Sequence, residues 1–222
     1  MESIDGGFRR ARTPQRKRQR AGVLLDAARR LARHEGVQGV TLTAIATTAG
    51  VHVSAVRRYF ESREEIFLRL TDEGWREWAQ ALRGQLGGSA VTPYELAAAL
   101  ADTLSERPLF CDLLAHAPLS LERAVSTEVV RAFKLSALAA ADDIAQTISA
   151  ALPDLRYAAA RDLVATAMAL AQSLWQISHP PQTLAKLYRE DARLAHVATE
   201  FAPRLTRLLH ACVLGLITAQ VQ

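Results

Sequence analysis

The stretch that most constrains this chain is Leu42 to Phe60, LTAIATTAGVHVSAVRRYF. Leu42, Ile45, Ala46 and Ala49 fall at i, i+3, i+4 and i+7, one face of a short helix. Gly50 then interrupts the pattern. Glycine in a helix interior costs roughly 1 kcal/mol against alanine, so a turn is expected there. Beyond it the apolar set restarts in a new phase with Val51, Val56, Tyr59 and Phe60. Two short helices joined by a tight turn are predicted, with Ala46 small enough for a close crossing. The outward set on the second helix is His52, Val53, Ser54, Ala55, Arg57 and Arg58. Such a face fits a DNA major groove, its N-terminal side chains nearest the base edges. Arg57 and Arg58 are placed for phosphates or for a bidentate contact with guanine. The competing reading of the same residues is a structural helical hairpin with a solvated basic end.

Charge distribution weighs on that choice. The net charge of +4 is modest, yet residues 1–60 hold 12 Lys or Arg against 4 Asp or Glu, while residues 61–222 hold 15 against 19. Seven of the basic residues lie in RRARTPQRKRQR, from Arg9 to Arg20. Alone, such a run reads equally well as a solvated tail. Placed directly before a two-helix unit with a basic end, it reads as a nucleic-acid arm.

Half the 222 residues are hydrophobic and only 11 are glycine and 8 proline, which favours an all-α globular protein. The helix map follows from local signals. Val23, Leu24, Ala27, Ala28 and Leu31 form a stripe that stops near Gly36. Thr41 is placed to cap the second helix, and Val51 or His52 begins the third. SREE at Ser62–Glu65 has the form of a capping box and opens a long fourth helix ending near GGS at Gly87–Ser89. TPYE at Thr92–Glu95 repeats the box with Pro93 at the first helical position. Pro108 and Pro118 divide the next stretch into short helices. Long ones are expected over 126–151 and 155–178, then a weaker segment and a last helix over about 200–219.

The two cysteines, Cys111 and Cys212, have no metal-type spacing and read as reduced core residues. The charged N-terminus argues against a signal peptide, and the apolar run Leu163–Ser178 is short for a membrane span. A cytoplasmic protein is expected. An enzyme is not: there is no Gly-rich phosphate loop, no HExxH and no GxSxG. Asp142 and Asp143 are adjacent on an apparent helix and point to different faces, so they make no obvious acid/base pair. No metal site or cofactor is implied.

AARRLARHEG, VTLTAIATTAGV and YFESREEIF together make residues 16–70 resemble the DNA-binding domain of the TetR (tetracycline-repressor) family of transcription regulators. RPLFCDLLAH through Lys134 also resembles a C-terminal domain found in some members. The resemblance implies an all-α chain in three parts: a flexible basic arm at 1–15, a three-helix helix-turn-helix domain at 16–62, and an effector-binding and dimerisation domain at 63–222. It implies a ligand-responsive repressor acting as a homodimer on a palindromic, double-stranded operator. Expected DNA contacts are Thr41, Thr43, His52, Val53, Ser54, Ala55, Arg57, Arg58, Tyr59 and Arg63. Three positions depart from the family's habit. His52 stands where Ser or Thr is usual, Arg57 and Arg58 where an aromatic residue is usual, and Arg63 where lysine is usual. The operator sequence therefore does not transfer. A nonspecific architectural DNA binder is the alternative, and an enzyme with a basic tail a more distant one.

In the remaining two-thirds, Leu163, Ala167, Leu170, Ala171 and Leu174 line one helix face. Leu205, Leu208, Leu209, Cys212, Val213, Leu216 and Ile217 line another. By the resemblance, residues 155–178 and 200–219 form the dimer interface; the bland alternative is ordinary internal core. Candidates for a small-molecule effector pocket are Trp75, Trp78, Phe110, Cys111, His116, Phe133 and Trp175, which suggest an apolar or aromatic ligand, although most large apolar residues of a helical domain are simply core.

Overall fold

The computed structural model describes residues 8–88, 90–194 and 200–220, with side chains from residue 15 onward. The first seven residues of the expected arm lie outside this set. From Phe8 the backbone is helical and continuous with α1, Phe8–Gly39. Gly36 breaks the helix near the end at φ 73°, a conformation that costs glycine little. Then follow α2 (Leu42–Thr48), α3 (Val53–Val56), α4 (Arg63–Leu86), α5 (Pro93–Ser105) and α6 (Pro108–His116). A π-helical turn at Ala117–Leu121 carries Pro118. The chain continues through α7 (Thr127–Ala151), α8 (Tyr157–Ser178), α9 (Gln182–Glu190) and α10 (Phe201–Ala219). Among the described residues there is no strand, and no helix is long and apolar enough to cross a membrane.

Local chemistry accounts for most boundaries. Thr92 and Glu95 complete a reciprocal capping box at α5, with Pro93 at its start. At α4 only half the expected box forms. Ser62 Oγ accepts from the Glu65 N–H, while the Glu65 carboxylate reaches one residue further back, to the N–H of Glu61. Ser126 caps α7.

Two bodies share α4. It packs with α1 on one side and with α5, α6 and α7 of the larger domain. Trp78 is fully buried and donates its indole N–H to Thr103 Oγ1 on α5 at 3.0 Å, so its polar handle is satisfied in the core. Trp75, Trp78 and Phe110 pack on one another with centroids 5.7, 5.8 and 6.2 Å apart. Gly74 admits Phe110 to α4: a Cβ there would lie 2.3 Å from the ring.

Candidate nucleic-acid interface and its coupling to the helical domain

The helix-turn-helix is built by backbone hydrogen bonds around Gly50. Its φ is 68°, its N–H donates to the Thr47 carbonyl, and the Val51 N–H donates to Ala46, each at 3.0 Å. These two bonds close α2 in a Schellman motif, which needs the left-handed residue that glycine supplies. Ile45, Ala46, Val56 and Phe60 are buried beneath the turn. Thr41 caps α2, its hydroxyl accepting from the Ala44 N–H at 3.1 Å, and Thr43 stands exposed on the first turn.

His52 is the N-cap of α3 and uses its ring for the task. Nδ1 accepts from the Ser54 N–H at 3.3 Å and lies 2.8 Å from Ser54 Oγ. With Nδ1 accepting, the neutral ring carries its proton on Nε2, which leaves Nε2–H as the donor at the outer edge. The helix is one turn long; tighter turns carry the chain through Arg57 and Arg58 to Tyr59. His52, Ser54, Arg57 and Arg58 are exposed, and Val53, Ala55 and Tyr59 are half-buried. Arg16, Lys17, Arg18 and Arg20 on α1 are exposed as well.

Arg63 has its donors engaged within the protein. Its Nε donates to the Val40 carbonyl, one terminal nitrogen to the Val37 carbonyl, and the other pairs with Glu64 at 2.9 Å. The guanidinium also lies 4.8 Å over the Phe67 ring. It braces the loop between α1 and α2, and its donors face inward.

Beyond those of Arg63, further contacts join this unit to the helical domain. Arg29 on α1 pairs with Glu73 on α4 at 2.6 Å. Burial raises the Glu73 carboxyl above its ordinary value despite Arg29 and Arg76 beside it. The Glu61 carboxylate accepts from both the N–H and the hydroxyl of Ser126, the cap of α7. Asp112 on α6 takes the Val37 N–H.

Of the effector candidates, Trp75, Trp78 and Phe110 pack on one another in the core, and Phe110 also borders a small space of about 90 Å³ beside α1. Cys111 is buried, its thiol donating to the Leu104 carbonyl, and burial pushes its pKa up to about 12, so it stays a thiol. His116 faces Asp112 at 3.4 Å. Trp175 stacks on His179 at 3.6 Å and meets Phe201 edge-on. Phe133 lines a larger cavity, between α4 and α7. Sequence reasoning missed the other walls of that cavity, because a periodic pattern marks burial and not empty space.

The expected dimerisation faces divide. Leu163, Ala167, Ala171 and Leu174 on α8, and Leu205, Leu209 and Val213 on α10, are buried within the protomer. Leu170, Leu208, Cys212, Leu216 and Ile217 are half-buried against the same core. The outward faces mix small residues (Ala158, Ala165, Ala169 and Ser173 on α8; Ala211, Gly215 and Thr218 on α10) with larger ones, among them Tyr157, Arg161 and Gln176 on α8 and Arg207 and Leu214 on α10.

A helix-turn-helix with an exposed basic face, joined to a larger all-α domain, defines a DNA-binding transcription regulator. Residues 24–70 match the family of bacterial regulatory proteins named for tetR, and residues 72–220 match the tetracyclin repressor-like C-terminal domain. The chain belongs to the TetR family. Solved structures agree in fold. The fatty acid degradation regulator FadR from Bacillus halodurans has a TM-score of 0.56 at 14% identity, over 88% of this chain and 95% of its own. A TetR transcriptional regulator from Rhodococcus sp. RHA1 has 0.56 at 16%, over 92% and 98%. The multidrug binding protein EbrR, complexed with imidazole, has 0.53 at 20%, over 83% and 98%. Comparison with curated protein sequences returns no match.

Proposed function

We propose that this regulator is a ligand-responsive repressor that works as a homodimer on a palindromic operator, with no catalytic role. The observation that carries the reading is the outward set His52, Ser54, Arg57 and Arg58 beside the exposed Arg16–Arg20 segment of α1. The former offers donors to base edges and phosphates, and the latter adds sequence-independent attraction. One such short helix reads too few bases for useful specificity. Two copies, their half-sites about 34–36 Å apart, double the site.

The small residues on the outward faces of α8 and α10 favour close helix approach, and these faces are the surfaces assigned to the dimer. The division at 62/63 falls at the cap of α4, so the DNA-binding unit is α1–α3 and the effector and dimerisation domain is the rest. Similar folds regulate fatty acid degradation in one neighbour and bind multiple drugs in another, so effector chemistry must come from this chain's own residues.

Footprinting on DNA upstream of the protein's own coding region tests the proposal. A protected palindrome with two half-sites is the expected result. Sequence-independent coating would make the protein an architectural binder instead.

A further inference from the structure

Between α4 and α7, next to the Glu61–Ser126 link, lies a cavity of about 300 Å³. That is at the lower end of the range for small-molecule sites. Phe133, itself almost buried, and the aliphatic Leu68 and Val129 form its apolar part. Its polar part is mostly acidic: Glu65, Asp72 and Glu128 line it against a single cation, Arg69.

Asp72 is the distinctive member. It is only 7% exposed. One carboxylate oxygen, Oδ2, pairs with Arg76 at 2.8 Å, while Oδ1 is buried without a hydrogen-bond partner among the described residues. A buried acceptor left empty is uncommon, because forgoing its partner is costly. Glu65 spends one oxygen on the Glu61 N–H, and Glu128 pairs with no cation among the described residues. Counting Arg76 beside Arg69, three carboxylates still exceed two guanidinium groups around the space.

We propose that this α4–α7 cavity is the effector site and that it takes a small protonated amine bearing an aromatic or aliphatic body, its ammonium facing the acidic wall of Glu65, Asp72 and Glu128 and its body lying on Phe133. The charge complements the acidic wall, and a cation held near the Phe133 ring gains further attraction from its face. The expected apolar or aromatic ligand thus gains a positive charge. The site also explains how occupancy reaches DNA. A ligand wedged between α4 and α7 acts on the two helices whose N-terminal ends are tied to the DNA-binding unit through Glu61 and Ser126.

The effector role rests on the repressor reading, so the test separates the two. Calorimetric titration of the full chain with phenethylammonium at neutral pH, and with phenethyl alcohol as its uncharged counterpart, reads binding without DNA. The ammonium should bind at least about tenfold more tightly, the scale of one charge-assisted hydrogen bond. Asp72→Asn should remove most of that preference. Glu128→Gln, at an exposed position with no partner to lose, should weaken the ammonium several-fold with the melting temperature unchanged. Equal binding of both probes, binding of neither, or full affinity in Glu128→Gln and a folded Asp72→Asn would overturn the site. If an operator is bound but saturating phenethylammonium leaves that affinity unchanged, the effector role is wrong. Failure to find any operator sinks the repressor reading and leaves the calorimetric result standing.

Discussion

The carboxylate of Asp112 accepts a hydrogen bond from the backbone N–H of Val37, 3.1 Å away and one residue beyond the break at Gly36. Its other oxygen takes the Gln176 side-chain amide at 2.9 Å and faces His116 Nε2 at 3.4 Å. One side chain on α6 thus ties the end of α1 to α8, and the DNA-binding unit to the helical domain.

Asp112→Ala should therefore destabilise the fold by about 1–3 kcal/mol, since the Val37 N–H and the Gln176 amide both lose their acceptor. Burial alone would raise the Asp112 carboxyl, but hydrogen bonds from His116, Gln176 and Val37 outweigh it and hold it below the ordinary 3.8. A carboxyl depressed in the folded state contributes stability that is present above the unfolded value and lost as pH falls through the lower folded one. Melting curves of wild type and Asp112→Ala should converge as pH drops from neutrality to below 3.8. Parallel curves down to that acidity would show that Asp112 adds nothing through its charge.

Base reading and positioning should separate within the recognition segment. His52→Ala and Ser54→Ala should change which bases are preferred, at roughly 1–3 kcal/mol per lost base contact. Arg58→Ala should weaken specific and random DNA alike and reduce the salt slope of log K by about 0.9. Binding-site selection on each variant decides the matter. Unchanged preference in the His52 and Ser54 variants, with lost preference in Arg57→Ala, would place reading at the opposite end.

Dimerisation should depend on the outward face of α10 and not on its buried one. Leu214 is 46% exposed and Leu209 fully buried, so Leu214→Glu should give a folded monomer near 24.3 kDa by light scattering. Leu209→Glu should unfold the protomer instead, because it buries an unpaired charge. A Leu214→Glu protein that remains dimeric would move the interface elsewhere.

Gly74→Ala should lower stability by about 1–3 kcal/mol, because the added methyl meets the Phe110 ring wedged between two tryptophans. Pairing it with Phe110→Leu should restore part of the loss in chemical denaturation. No recovery would mean the clash lies elsewhere.

Features carried by neighbouring residues were legible in the sequence. The box at Thr92 and Glu95, the turn at Gly50 and the stop near Gly36 each depend on a few adjacent positions. What was not legible depends on distance along the chain. Nothing around Arg63 announces that it will hold carbonyls of Val37 and Val40, and Asp112 meets Val37 across 75 residues. Apolar periodicity likewise made Leu209 and Leu216 equally good interface residues, since it reports a face without saying which side of the helix looks into its own protomer. The cavity acids are illegible for a related reason: Glu65 reads as a cap, and nothing local marks Asp72 or Glu128 as neighbours of an empty space.

The unbroken run of α4 from its Ser62 cap to Gly87 has a mechanical consequence. Its 24 residues make a rod of about 36 Å at 1.5 Å per residue. Pivoting such a rod by roughly 10° about one end sweeps the other through about 6 Å, close to two base-pair steps of DNA at 3.4 Å each. A tilt that the packed helices absorb as a modest slide would then carry a reading head off its half-site.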